Sequence, residues 1–183
     1  MHHDVFISHS RSDKLTAEAV CHRLESEGIR CWMAPRDIMP GLSWTASIMK
    51  GIESCRILIL VFSGHANRSE HVQREIERAF AKGLVVIPFR IEDVPPIGAL
   101  EYFLGFVHWL DALTPPMENH IQSLLELTKK ILPGYDTGLR GVADESLAPL
   151  ATNEKKKRRG LRKQRARSRV PRAECRHHSG DGS

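Results

Sequence analysis

Residues 56–90 read RILILVFSGHANRSEHVQREIERAFAKGLVVIPFR, and they contain a complete strand–helix–strand unit. The two flanking runs, RILILVFS (56–63) and LVVIPFR (84–90), are almost continuously apolar. Strands covered on both faces need that composition, because neither face meets water. Between them the period changes. Val72, Ile76, Ala79 and Phe80 recur at helical spacing over about 69–82, Ser69 stands where an N-cap belongs, and Gly83 stands where the helix must stop. A strand, a crossover helix and a second strand make a βαβ unit with parallel strands.

The same alternation continues in both directions. Further strands are expected at VFIS (5–8), IRCW (29–32) and FVHW (106–109). Helices are expected at about 13–27, with Ser12 as N-cap and Gly28 as terminator, and at 44–54, 98–104 and 116–132. Five strands alternating with five helices predict a flavodoxin-like, doubly wound α/β sandwich with a five-stranded parallel sheet in the order 2-1-3-4-5.

Residues 1–132 are read as this domain and 133–183 as a linker with a disordered tail. The charge divides along the same line: residues 154–183 carry 12 Lys+Arg against 3 Asp+Glu, while the other 153 carry 15 against 19. The sequence pI of about 9.2 therefore describes the tail, and nucleic acid is a candidate partner for the tail alone. The longest apolar run, ILILVF, is too short to span a bilayer. With no leader pattern after Met1 either, a cytoplasmic protein is expected. Cys21, Cys31, Cys55 and Cys175 lack metal-ligand spacing, so no metal is expected; Cys21 on a helical apolar face and Cys31 inside a strand read as reduced, buried thiols.

In such a sheet, ligands bind beyond the carboxyl ends of the strands. That edge comprises Ser8–Arg11, a long 33–43 loop, Ser63–Arg68 and the start of the helix at 69. P-loop, dinucleotide-fingerprint and nucleophile-elbow motifs are absent from the sequence. A phospho-receiver would need acids where Ser8-His9-Ser10 and Ser63 stand. One carboxylate is out of place. At about 100° per residue, Glu75 falls nearer the buried stripe of its helix than Glu70 or Glu77 does. It is either a structural carboxylate paired with an arginine or backbone amide, or a functional acid with a raised pKa. Periodicity leaves both open.

Three segments carry a resemblance. DVFISHS (4–10), CWMAPRDIMPGLSW (31–44) and SEHVQREIERA (69–79) resemble, in order and placement, the motifs of bacterial TIR (Toll and interleukin receptor) domains of the NAD-cleaving type. The resemblance implies that Glu75 is catalytic and that His9, Ser10 and Arg11 contact the nucleotide. Trp44 is a core anchor or, in the substrate-binding reading, a stacking surface; Trp109 is read as core. Many active members carry an aromatic residue four positions before the glutamate, where this chain has His71. The implied activity is NAD+ glycohydrolase or cyclase, cleaving the nicotinamide–ribose bond to give nicotinamide and ADP-ribose or a cyclic isomer, in bacterial defence or host interference. NAD+ is then a substrate, and no cofactor is expected. The resemblance also implies self-association through the 33–43 loop, with Arg36, Asp37, Pro40 and Gly41 in the contact and Met33, Ile38 and Met39 as its apolar candidates. The alternative is a non-catalytic adaptor that pairs with other TIR domains through the same loop.

Overall fold

A computed structural model describes residues 3–134. Its sheet has five parallel strands in the order β2-β1-β3-β4-β5, as the alternation predicts. The strands are β1 (Val5–Ser8), β2 (Cys31–Met33), β3 (Ile57–Phe62), β4 (Val85–Arg90) and β5 (Leu110–Asp111). The helices are α1 (Lys14–Glu25), α2 (Trp44–Glu53), α3 (Gly64–Asn67), α4 (Glu70–Ala81), α5 (Ala99–Leu104) and α6 (Met117–Gly134). The basic tail lies outside the described residues.

Side chains alternate across β1 and β3 into two apolar layers. Val5, Ile7, Ile57, Ile59 and Val61 face α1 and α6, meeting Val20, Leu24, Leu124 and Leu125. Phe6, Leu58, Leu60 and Phe62 face the other way, against Ile52, Val72, Ile76, Leu100 and Leu104. All six residues of β3 are buried, because helices cover both faces of the central strand. At the sheet's amino end, Arg30 grips the Asp4 carboxylate with both Nε and Nη2 at 2.9 Å, pinning the entry of β1 beside β2.

Three details differ from the sequence reading. The fifth strand is not at 106–109. Phe106 is 97% exposed there, and pairing begins at Phe89↔Leu110 and Arg90↔Asp111, where the Arg90 guanidinium clasps the Asp111 carboxylate at 2.7 Å. Ser12 does not cap α1. It sits in a single 3-10 turn, Arg11–Asp13, that precedes the helix. The short helix α3 is additional, nucleated by Ser63, whose Oγ accepts the N–H groups of His65 and Ala66 at 3.1 Å each. By contrast, Ser69 caps α4 through the Val72 N–H as predicted, and Gly83 closes that helix at φ 71°.

The α2 layer is tight at one point. A Cβ added to Gly51 would lie 2.6 Å from the Trp32 ring, and that ring is already stacked on Phe6 with centroids 4.7 Å apart. Alanine is the better helix former by about 1 kcal/mol, but overpacking a close-packed core costs about 1–3 kcal/mol. Gly51→Ala is therefore expected to lower the melting temperature. A rise on thermal unfolding would show that Trp32 yields freely.

Candidate active site

The carboxyl ends of β1 and β3 are neighbours in the sheet. At the tip of β1, Ser8 is 1% exposed and its Oγ donates to Glu75 Oε2 at 2.6 Å. Glu75 projects from the buried face of α4 with Val72, Ile76 and Ala79, while Glu70 and Glu77 on the same helix are exposed. Among the described residues no lysine or arginine pairs with Glu75, so the ion-pair reading of this carboxylate finds no partner. Burial withdraws water from the carboxylate and pushes its pKa up to about 7, against the opposing pull of the Ser8 hydrogen bond.

A second buried acid braces the same edge. Asp13 Oδ2 accepts from Ser10 Oγ at 2.5 Å and from Ser63 Oγ at 2.6 Å. The Asp13 carboxylate thus ties the β1 exit, the β3 exit and the start of α1 to one point. This engagement is also why it leaves the amino end of α1 without a side-chain cap. Asp13→Ala would strand two buried hydroxyls, and each unsatisfied group costs about 1–3 kcal/mol. Denaturant unfolding should record a clear loss of stability, with Asp13→Asn losing less because its amide oxygen still accepts.

Above these braces opens a cleft of about 880 Å³. His9, Ser10, Arg11, Trp44 and Glu75 all line it, joined by Lys14, Pro35, Ile48, Ser69 and His71. The volume lies within the range of small-molecule sites. Burial holds the His9 imidazole below its ordinary pKa and so favours the neutral ring. Trp44 is not a core residue: it opens α2 and is 47% exposed over the cleft. Trp109 is half-buried at the edge of the second apolar layer, edge-on to Phe62 with Arg90 above its ring. Ser8, Asp13 and Ser63 escape a reading based on period, since isolated serines and one aspartate carry no pattern. Their only signal is that all three lie at or just beyond strand ends.

The 33–43 loop forms one wall. Arg36 and Asp37 pair at 2.9 Å, and Asp37 Oδ2 also accepts the Met33 N–H at 2.8 Å. Pro40 and Gly41 are exposed at the loop's tip, where Gly41 has φ 86°. Of the three apolar candidates, Met33 is buried as the end of β2 and Ile38 is packed against the core, leaving Met39 exposed with Leu42 beside it.

A doubly wound frame with a desolvated carboxylate over its strand ends is a binding or catalytic scaffold, and comparison with known proteins gives its family. A family profile for the TIR domain matches residues 5–125, and the chain belongs to that family. Over 79 residues it is 39% identical to the NAD(+) hydrolase PdTIR of Paracoccus denitrificans (strain Pd 1222), covering 43% of this chain and 26% of that protein. The chain thus meets about a quarter of that relative's length. Among solved structures it is similar to the TIR domain of the Toll-related receptor TRR-2 of Hydra magnipapillata, with TM-score 0.57 and 23% identity over 69% of this chain and 98% of that one. The TIR domains of the activated Roq1 resistosome align with TM-score 0.57 and 19% identity over 68% and 98%. Among the described residues no helix is long and apolar enough to cross a membrane.

Proposed function

We propose that this chain cleaves the nicotinamide–ribose bond of NAD+, with Glu75 as the catalytic carboxylate. The observation that carries the reading is a desolvated carboxylate, held by Ser8, lining a cleft of dinucleotide scale. The hydrolase activity of the Paracoccus relative supports the choice of substrate. Nicotinamide leaves a cationic pyridinium as a neutral molecule, so departure needs no general acid. The ribose becomes oxocarbenium-like, and an ionised carboxylate beside it stabilises that charge. In this reading Trp44 stacks on a base, His9 and Ser10 contact the nucleotide, and the exposed cations Arg11 and Lys14 face the diphosphate. Capture by water yields ADP-ribose; capture by an internal nucleophile yields a cyclic isomer. The proposed setting is the bacterial cytoplasm, in defence or interference signalling. Incubation of the purified chain with NAD+, followed by chromatography, tests the reading: nicotinamide must appear with ADP-ribose or its cyclic isomer, and intact NAD+ would end it.

Self-association through the 33–43 loop is part of the same proposal, supported by Met39 and Leu42 standing exposed on the loop whose Ala34 and Pro35 line the cleft. If a second copy completes that wall, specific activity rises with protein concentration. Gly41→Ala forces a side chain into the left-handed region at a cost of about 1–2 kcal/mol, and Pro40→Ala loosens the tip. Both should depress activity several-fold without unfolding the chain. Activity independent of concentration and untouched by either change would leave Glu75 acting within one copy. The adaptor reading uses the same exposed residues and predicts TIR–TIR binding with no NAD+ turnover.

A further inference from the structure

Helix α1 and strand β2 bring together two thiols that are ten positions apart in sequence. The sulfur atoms of Cys21 and Cys31 and a carboxylate oxygen of Glu25 lie within 4.8 Å of one another. Arg36 reaches into this group from the 33–43 loop. Its Nη1 donates to Cys21 Sγ at 3.2 Å and to Glu25 Oε2 at 3.1 Å, and its Nη2 donates to the Cys31 carbonyl at 2.8 Å. A metal ion would have to share this space with that guanidinium, so the cluster does not read as a cation site. A fixed positive charge beside sulfur favours the thiolate instead.

The two sulfurs differ. The neighbouring Cys31 thiol draws the Cys21 thiol below its ordinary value against burial, and the Arg36 charge adds to that effect. The Cys31 thiol is driven far upward by the neighbouring Cys21 sulfur and by burial, and its Sγ donates to the Ile29 carbonyl at 3.6 Å. A surface cleft of about 410 Å³, lined in part by Cys21, Glu25 and Arg36, gives a small solute a route to Cys21.

We propose that Cys21 and Cys31 form an oxidisable dithiol, in which hydrogen peroxide or a similar hydroperoxide attacks at Cys21 and Cys31 resolves the product to an intramolecular disulfide. Cys21 sulfur displaces hydroxide from the peroxide, giving a sulfenic acid as the O–O bond breaks, and the hydroxide takes up the proton of the Cys21 thiol and leaves as water. Cys31 sulfur then displaces the sulfenic oxygen, and its proton leaves with that oxygen as water. In total two thiols are oxidised, one peroxide is reduced, and two waters form. The disulfide carries no negative charge, so Arg36 loses its sulfur partner on α1 while keeping Asp37 and Glu25.

The test uses the full chain carrying Cys175→Ser, treated with a slight excess of hydrogen peroxide, quenched with N-ethylmaleimide, and digested for mass spectrometry. The expected product joins the Cys21 and Cys31 peptides, about two mass units lighter than the reduced pair, with Cys55 alkylated. Cys55 is an internal control. It is 7% exposed against 2% for Cys21, so exposure alone would oxidise it first, yet burial holds its thiol up at about 12. Cys31→Ser should halt at a Cys21 sulfenic acid that dimedone traps, and Arg36→Gln should slow Cys21 oxidation about tenfold. Cys55 reacting as fast as Cys21, Cys21 passing to sulfinic acid without joining Cys31, or a chain inert to peroxide would each overturn the proposal. These readouts are masses, so they stand or fall separately from NAD+ turnover.

Discussion

Replacing Glu75 with alanine is expected to lower NAD+ cleavage by about a hundredfold or more, the scale of losing one preorganised electrostatic group. The side chain sits among Val72, Ile76 and Ala79 on the inner face of α4, so alanine leaves a small void and an unpartnered Ser8 hydroxyl. The fold should survive that loss, because the two apolar layers are otherwise untouched. Glu75→Gln is the sharper variant: it keeps the volume and an acceptor for Ser8 while removing the charge. Thermal unfolding and circular dichroism would certify the fold, and released nicotinamide would measure the loss. A folded Glu75→Gln chain that turns over NAD+ at the original rate would remove this carboxylate from the mechanism.

The second large effect concerns pH. In the proposed mechanism the carboxylate stabilises an oxocarbenium only when ionised, and burial has raised its pKa from the ordinary 4.5 to about 7. kcat/KM should therefore climb about tenfold per pH unit below 7 and level off above it. Stability should move the opposite way. Below about pH 4.5 Glu75 is protonated in folded and unfolded chains alike, and it contributes no pH dependence. Between 4.5 and 7 the unfolded chain ionises this group while the folded chain retains the proton. The folded state is thus progressively disfavoured as pH rises, by on the order of 3 kcal/mol in total. Glu75→Gln should lack this decline, so urea unfolding of the two proteins at several pH values isolates it. An activity limb near pH 4.5, or two stability curves that run parallel, would place Glu75 in a wetter setting than the cleft floor.

Much of this architecture was legible because buried parallel strands and amphipathic helices have different periods. β3 and β4 declare themselves as continuous apolar runs, and the sheet order follows from alternation. Glu75 was visible for the same reason, as a charge displaced toward an apolar stripe. The alternation stops being informative where pairing rests on a few groups. β5 is two residues long, and its place follows from the backbone pairing of Phe89 and Arg90, reinforced by the Asp111 clasp. The run at 106–109 looked more like a strand and is not one. Polar bracing was equally hidden. Ser8 meets Glu75 and Ser63 meets Asp13 across 67 and 50 positions, and only the placing of β1 beside β3 brings each pair together. The loop was overread in one respect, since Met33 and Ile38 have core partners that local sequence could not reveal.

The hydrogen bond between Ser8 and Glu75 spans 67 positions. During synthesis, β1 leaves the ribosome early but must wait for residues 57–62 before its second neighbour exists, and for α4 before its tip meets the carboxylate. A nascent chain ending short of α4 has the amino-terminal motif and the 33–43 loop yet no Glu75 at all. For a protein proposed to consume a cofactor that its own cell needs, late closure is a form of containment. Truncated or stalled products would be inert, and two complementary fragments split between α2 and β3 would have to find each other before either did harm.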